Sequence, residues 1–310
     1  MSQNNPLSAI LDKQDFLLLD GAMATELEAR GCNLADSLWS AKVLVENPEL
    51  IREVHLDYYR AGAQCAITAS YQATPAGFAA RDLDEAQSKA LIGKSVELAR
   101  KAREAYLAEN PQAGTLLVAG SVGPYGAYLA DGSEYRGDYQ RSAEEFQAFH
   151  RPRVEALLDA GADLLACETL PNFAEISALA ELLTAYPRAR AWFSFTLRDS
   201  EHLSDGTPLR DVVALLADYP QVVALGINCI ALENTTAALQ HLHSLTALPL
   251  VVYPNSGEQY DAVSKTWHHH GEHCAHLADY LPQWQAAGAR LIGGCCRTTP
   301  KDIAALKARS

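Results

Sequence analysis

The sequence predicts a (β/α)₈ barrel, built as one domain spanning residues 1–310. Eight short apolar runs recur along the chain, and most are followed by a helix-length segment. The runs are nearly continuous in apolar residues instead of alternating, the pattern of strands buried on both faces of a parallel sheet. Several intervening segments end in Ala-Gly immediately before the next run, as a helix closed by a glycine C-cap does ahead of a short connection. An open doubly wound sheet shares this pattern, since periodicity alone does not show closure.

The first strand is FLLLDG (16–21), with the helix ELIREVHLDYYRAG (49–62) after it. CAITAS (65–70) leads to the long helix DEAQSKALIGKSVELARKAREAYL (84–107). TLLVAGSVG (115–123) precedes SAEEFQAFHRPRVEALLDAG (142–161), and DLLACET (163–169) precedes NFAEISALAELLTAY (172–186). AWFSFTL (191–197) is paired with LRDVVALLADY (209–219), and VVALGINC (222–229) with NTTAALQHLHSL (234–245). PLVVYPN (249–255) leads to HCAHLADYLPQWQAAG (273–288), and RLIGGCC (290–296) closes the series. The longest irregular insertions follow the third strand (PYGAYLADGSEYRGDY) and the seventh (SGEQYDAVSKTWHHHGEH). Loops of that length in a compact domain are often lids or binding loops. No low-complexity linker or charge block divides the chain.

Composition narrows the function. A formal net charge of −13, from 25 basic and 38 acidic side chains, argues against a phosphate-backbone binder, so no nucleic-acid partner is expected. No apolar stretch reaches the roughly eighteen residues of a membrane span. The N-terminus, MSQNNPLSAILDKQDF, lacks the basic start and apolar core of a secretion signal. The seven cysteines are therefore expected in a reducing cytoplasm, as thiols, ligands or core residues rather than as staples.

In a barrel of this kind the active site gathers at the C-terminal ends of the strands. Those ends carry Asp20, Thr68, Ser121, Glu168, Thr196, Cys229, Asn255, and Cys295 with Cys296. Three cysteines thus reach one rim, from the sixth and eighth strands. Three thiolates plus an exchangeable position describe a catalytic zinc rather than a closed structural one, and thiolate softness favours zinc over magnesium or calcium. The spacing is not a local C-x₂-C motif, and buried cysteines commonly serve as small core hydrophobes. That plainer role suits Cys32, Cys65 and Cys167. It suits Cys295 and Cys296 less, because adjacent strand residues face opposite ways unless the strand ends or bulges there. The two preceding glycines allow for that.

DGAMATEL, AGAQCAITASYQAT, GSVGPYGAYLADGSEYRG, CETLPN, GINC, YPNSGE and GGCCRT, in order from residue 20 to residue 299, together resemble the homocysteine S-methyltransferase family. GINC combined with GGCCRT carries the specificity; DGAM alone is a weak signal. The resemblance implies a zinc-dependent barrel that methylates the thiol of homocysteine to give methionine, with Cys229, Cys295 and Cys296 as zinc ligands. It is closest to the subgroup using S-methylmethionine or S-adenosylmethionine as donor. Ala24 departs from the family's DGAMGTEL form, which has a second glycine there.

The resemblance also implies that Asp20 and Glu168 sit at the amino-acid site, where they grip the homocysteine ammonium; a salt bridge or helix cap is the plainer role. Gly21, with Ala22 and Met23, can offer backbone N–H groups to the substrate carboxylate, or be a plain strand-to-helix turn. Asn255 is a candidate for the exchangeable zinc position when substrate is absent, or for orienting its loop. Tyr71, Tyr125 and Tyr128 can line a donor pocket by cation–π contact with a sulfonium, or simply pack. WHHHGEHC (267–274), with His268 to His270, is expected to be an exposed loop, since consecutive residues diverge around a helix or strand. GSVGPYG lacks the spacing and the acid of a dinucleotide fingerprint.

Other functions stay in view. A zinc-assisted hydrolase or lyase would use Glu168 as general base, but such sites draw on His and carboxylate ligands, and none of the ten histidines ends a predicted strand. A non-catalytic zinc or thiol store would have no use for acids beside the cysteines. Betaine as donor fits the shorter S-methylmethionine pattern poorly.

Overall fold

The computed structural model describes residues 5–34, 38, 40–256, 259–261, 266–268 and 276–310. Strands β1 (Leu17–Leu18), β2 (Cys65–Ile67), β3 (Leu117–Val122), β4 (Leu164–Leu170), β5 (Ala191–Phe195), β6 (Val222–Asn228), β7 (Leu250–Tyr253) and β8 (Ala289–Ile292) form one sheet, in the order β1-β8-β7-β6-β5-β4-β3-β2. Every neighbouring pair is parallel. The two edges meet where Leu19 bridges Cys65, with Gln64 N–H donating to Leu18 O at 2.7 Å and Asp20 N–H to Cys65 O at 3.1 Å. These bonds close the sheet into a (β/α)₈ barrel and remove the open-sheet alternative.

Helices α1 (Pro48–Arg60), α2 (Glu85–Glu109), α3 (Ala143–Asp159), α4 (Phe173–Leu183), α5 (Leu209–Leu216), α6 (Thr235–Leu245), α7 (Leu277–Ala286) and α8 (Pro300–Lys307) follow β1 to β8 in turn. Reciprocal capping boxes start α2 (Asp84 with Gln87) and α3 (Ser142 with Glu145). The Ala-Gly endings are C-caps as expected, with φ of +108° at Gly62 and +89° at Gly161 and Gly288. One- or two-turn helices such as Met23–Ala29, Ser40–Glu46 and Pro75–Ala79 are too short to show in the periodicity. The insertion after β3 holds a helix (Tyr125–Leu129) and a 3₁₀ turn (Ser133–Tyr135). After β7, Gln259–Asp261 pairs antiparallel with Thr266–His268, so Trp267 and His268 belong to a short strand rather than an open loop. His269 to Cys274 lie outside the described residues.

The alternation of side chains along each strand builds two cores. Leu117, Ala119, Leu164, Ala166, Trp192, Ala224 and Val251 fill the barrel, joined by Leu7, Ile10 and Leu11 from the N-terminal segment. Their chain neighbours Val118, Leu165, Phe193, Leu225 and Val252 pack outward in the core shared with the helices. By the same parity Ser121, Glu168, Ser194, Asn228 and Tyr253 face inward at the C-terminal end of the barrel. Among the described residues no helix is long and apolar enough to cross a membrane.

Candidate metal centre and substrate site

β8 stops at Ile292, before the cysteines. Gly293 and Gly294 let the chain turn in a crowded place: a Cβ on Gly293 would lie 2.6 Å from Leu19 Cβ, and one on Gly294 2.4 Å from Thr298 Oγ1. Cys295 and Cys296 therefore escape the opposite-face rule of a strand. Thr298 Oγ1 donates to Cys295 O at 2.6 Å and fixes the turn. Cys229 is the first residue after β6 and has a left-handed φ of +49°, strain of about 1–3 kcal/mol that the surroundings hold in place.

The exit of β7 runs between these segments and stitches them together. Cys229 N–H donates to Tyr253 O (3.2 Å), Asn255 N–H to Ile230 O (3.0 Å), Cys295 N–H to Pro254 O (2.7 Å), and Ser256 N–H to Cys296 O (3.1 Å). β6 and β8, which flank β7, thus hand their cysteines across its end. The sulfurs of Cys229, Cys295 and Cys296 all lie within 4.8 Å of one another. Cys229 and Cys295 make the closest approach, with Cα atoms 5.6 Å apart, and Cys296 stands beside them. Cys65 and Cys167 are fully buried, and Cys32 packs partly buried against the core, as small apolar residues do.

The donor set, three sulfurs at one point, suits a soft or borderline cation. Asn255 Oδ1 is buried and has no hydrogen-bond partner among the described residues. Desolvation pushes the Cys296 thiol up to about 11, and the Glu134 carboxylate adds to the rise.

Beside the cysteines the inward-facing residues form a polar layer. Glu168 accepts from Ser121 Oγ through one oxygen and from Tyr253 O–H at 2.8 Å through the other. Tyr253 oxygen accepts from Trp192 Nε1 at 3.1 Å and lies 2.8 Å from Ser194 Oγ. Burial holds the Glu168 carboxyl above its usual range, against the lowering effect of its Ser121 and Tyr253 bonds. Asp20, 3% exposed, accepts Ile67 N–H at 2.9 Å, and burial, with the Glu168 charge adding, raises it well above the carboxylate range. Thr169 has a left-handed φ of +60°, a genuine outlier for a β-branched residue. Asn228 holds it there, accepting Thr169 N–H and donating to Thr169 Oγ1, both at 2.8 Å.

The other expected residues separate. A Cβ on Gly21 would sit 2.9 Å from Tyr58 and Thr298, so the close packing of this turn calls for glycine. Ala22 N–H is already given to Thr298 Oγ1 at 3.1 Å. Tyr71 shares a side-chain hydrogen bond with Thr169, next to Glu168. Tyr125 stands in an aromatic cluster with Phe146, Phe149 and Tyr139, and the Arg141 guanidinium lies 5.3 Å from its ring centroid. Tyr128 packs on Phe149 and Tyr125, so these two rings belong to the loop's packing.

A buried charged cluster was absent from the sequence reading. Arg153 donates to Tyr71 O and Gly123 O, both at 2.6 Å, and lies 3.1 Å from His150 Nδ1. Arginine only donates, so His150 Nδ1 accepts and the ring proton sits on Nε2, which faces Glu175 Oε1 at 2.7 Å. Glu175 also takes Tyr125 N–H at 2.6 Å and the Tyr139 hydroxyl. The cluster ties the loops after β2 and β3 to α3 and α4.

The chain matches the family model described as homocysteine S-methyltransferase over residues 17–310. It is 95% identical to a homocysteine S-methyltransferase of Escherichia coli (strain K12), with both chains covered completely, and 53% identical to one of Bacillus subtilis (strain 168), with 96% of each covered. The fold superposes on a crystal structure of the metallated form of an Escherichia coli homocysteine methyltransferase with a TM-score of 0.92, at 89% identity and covering 99% of this chain and 100% of that one. Matches of this extent, on a barrel whose mouth gathers three cysteines beside two buried acids, show that the chain belongs to the homocysteine S-methyltransferase family and works as a methyltransferase on homocysteine.

Proposed function

We propose that the enzyme transfers a methyl group from S-methylmethionine, and more slowly from S-adenosylmethionine, to the thiol of L-homocysteine to give methionine. In this reading residues 1–310 act as one homocysteine-binding unit in the cytoplasm, with zinc held by reduced Cys229, Cys295 and Cys296 and with Asn255 at the exchangeable position. The convergence of three sulfurs within 4.8 Å is the observation that carries it. Zinc bound there would supply a Lewis acid that lowers the pKa of a substrate thiol, whose thiolate is the good nucleophile.

The chain's own groups position and select. Asp20 and Glu168 face the homocysteine ammonium from inside the barrel, and the turn at Gly21 lies where the substrate carboxylate would meet backbone N–H groups. Methyl transfer forms one S–CH₃ bond as another breaks; the bonding pair stays on the donor sulfur, which leaves as a neutral thioether, and the thiol proton goes to solvent. Charge thus disappears from the donor sulfur, so a strongly negative wall there would favour the ground state over the transition state. Tyr71, held by Thr169, offers an aromatic face instead. The test is a paired assay with each donor at equal concentration, following methionine formed per homocysteine consumed. S-methylmethionine should be faster and yield two methionines per turnover; exclusive use of S-adenosylmethionine or betaine would refute the donor assignment.

A further inference from the structure

The loop after β3 carries a carboxylate that the reading above does not use. Glu134 lies in the 3₁₀ turn Ser133–Tyr135, is 4% exposed, and its Oε2 has no hydrogen-bond partner among the described residues. The turn is fixed from three sides. Thr196 Oγ1, just past β5, donates to Glu134 O at 2.8 Å, and Asn172 Nδ2, just past β4, donates to Gly137 O at 3.0 Å. Gly126 packs so closely that a Cβ on it would lie 2.7 Å from Glu134 N.

Glu134 is therefore held at the C-terminal ends of β3, β4 and β5, on the loop side of the barrel mouth. Those anchors put it on the same rim of the barrel as Asp20 and Glu168, but outside the inward-facing layer. Arg136, two residues on, directs its guanidinium elsewhere, to Asp138 (3.0 Å), Asp131 O (2.8 Å) and Ser133 Oγ (3.1 Å). A buried carboxylate oxygen with no donor is costly, and a ligand N–H would relieve that cost. Homocysteine, with its sulfur at the cysteines, has Asp20 and Glu168 for its ammonium. The methyl donor must approach from the loop side, and it carries an α-ammonium of its own.

We propose that Glu134 binds the α-ammonium of the methyl donor and so selects sulfonium amino acids over sulfonium compounds that lack the amino group. This inference rests on the donor reading above. The experiment uses the full-length, reduced, zinc-loaded enzyme and its Glu134→Gln and Glu134→Asp variants. The two donors compared are S-methylmethionine and 4-(dimethylsulfonio)butanoate, the same molecule without the amino group. Glu134→Gln should lose roughly 10–100-fold in kcat/KM for S-methylmethionine, the range of one charge-assisted contact. It should leave the desamino donor within about threefold and the homocysteine KM and zinc content unchanged; Glu134→Asp should recover part of the loss. Equal loss with both donors, a shift confined to the homocysteine KM, or undiminished use of S-methylmethionine would overturn the assignment while leaving the donor reading intact. Wild-type turnover with betaine alone would overturn both.

Discussion

Replacing Glu168 with Gln separates substrate binding from metal binding and from folding. Tyr253 O–H donates to Glu168, while its oxygen accepts from Trp192. In the variant the amide oxygen can take that proton while the amide nitrogen turns to Ser121 Oγ, so one bond is reversed and none is lost. What disappears is the charge. A hydrogen bond to a charged partner contributes about 1.5–3 kcal/mol, which predicts a rise of roughly 10–150-fold in the homocysteine KM. Zinc content should stay at the wild-type level.

Stability supplies an independent sign. Burial raises the Glu168 carboxyl above its ordinary value of 4.5, so the folded state keeps this proton to higher pH than the unfolded state does. Wild-type stability is therefore lost as pH rises from about 4.5 through the native value, and none of this loss is present below that window. Glu168→Gln removes the titration, so the variant should gain on the wild type in urea melts as pH rises from 4 toward 7, by an amount absent at the acid end. Loss of zinc with an unchanged homocysteine KM would move Glu168 into the metal's surroundings. A variant that gains stability only at the acid end would refute the burial argument.

Alanine at Cys229, Cys295 or Cys296 should remove zinc and turnover together, measured on reduced protein by metal analysis and methionine formation; full zinc and turnover in all three variants would refute the site. His55 is fully buried, both its ring nitrogens lack partners among the described residues, and burial lowers it to about 3 from 6.5. His55→Leu should therefore stabilise the fold by about 1–3 kcal/mol at neutral pH, and by more as pH falls below 6.5, where the unfolded wild type gains a proton its native state refuses; equal or lower stability in urea at pH 5 would contradict this. Asn228→Ala should release Thr169 from its left-handed φ and raise the homocysteine KM roughly tenfold through the displaced Glu168, three buried hydrogen bonds being lost, two to Thr169 and one from Ser194. Adding Thr169→Gly, which tolerates that φ, should recover part of the KM, and no recovery would mean that Asn228 acts by another route.

The barrel was legible because its strands are buried on both faces and its helices end in Ala-Gly. Its closure was not, since it depends on Leu19, Gln64 and Asp20 meeting Cys65 and Leu18 beside a β1 only two residues long. The three cysteines could be found by reading strand ends. What brings their sulfurs together is the backbone of Pro254 to Ser256, which no spacing reveals. Asn228 and Tyr253 sit inside the quoted motifs GINC and YPNSGE, yet a continuously apolar strand hides which residues face inward, because both faces are filled. Counting by twos from Ala224 and Val251 would have pointed both into the barrel. Glu134 sits in a loop without periodicity, and its position depends on Thr196 and Asn172, 62 and 38 residues away. His150, Arg153 and Glu175 failed for another reason: polar residues on an amphipathic helix read as solvent-facing. They are 0–1% exposed because each satisfies the others, with the arginine donating to the histidine and the histidine to the carboxylate. Pattern reading treats residues one at a time, and it misses polar groups whose burial is permitted only jointly. At this barrel mouth the Glu168 layer and the Arg153 cluster are both groups of that kind, and between them they hold the segments from which the substrate site is assembled.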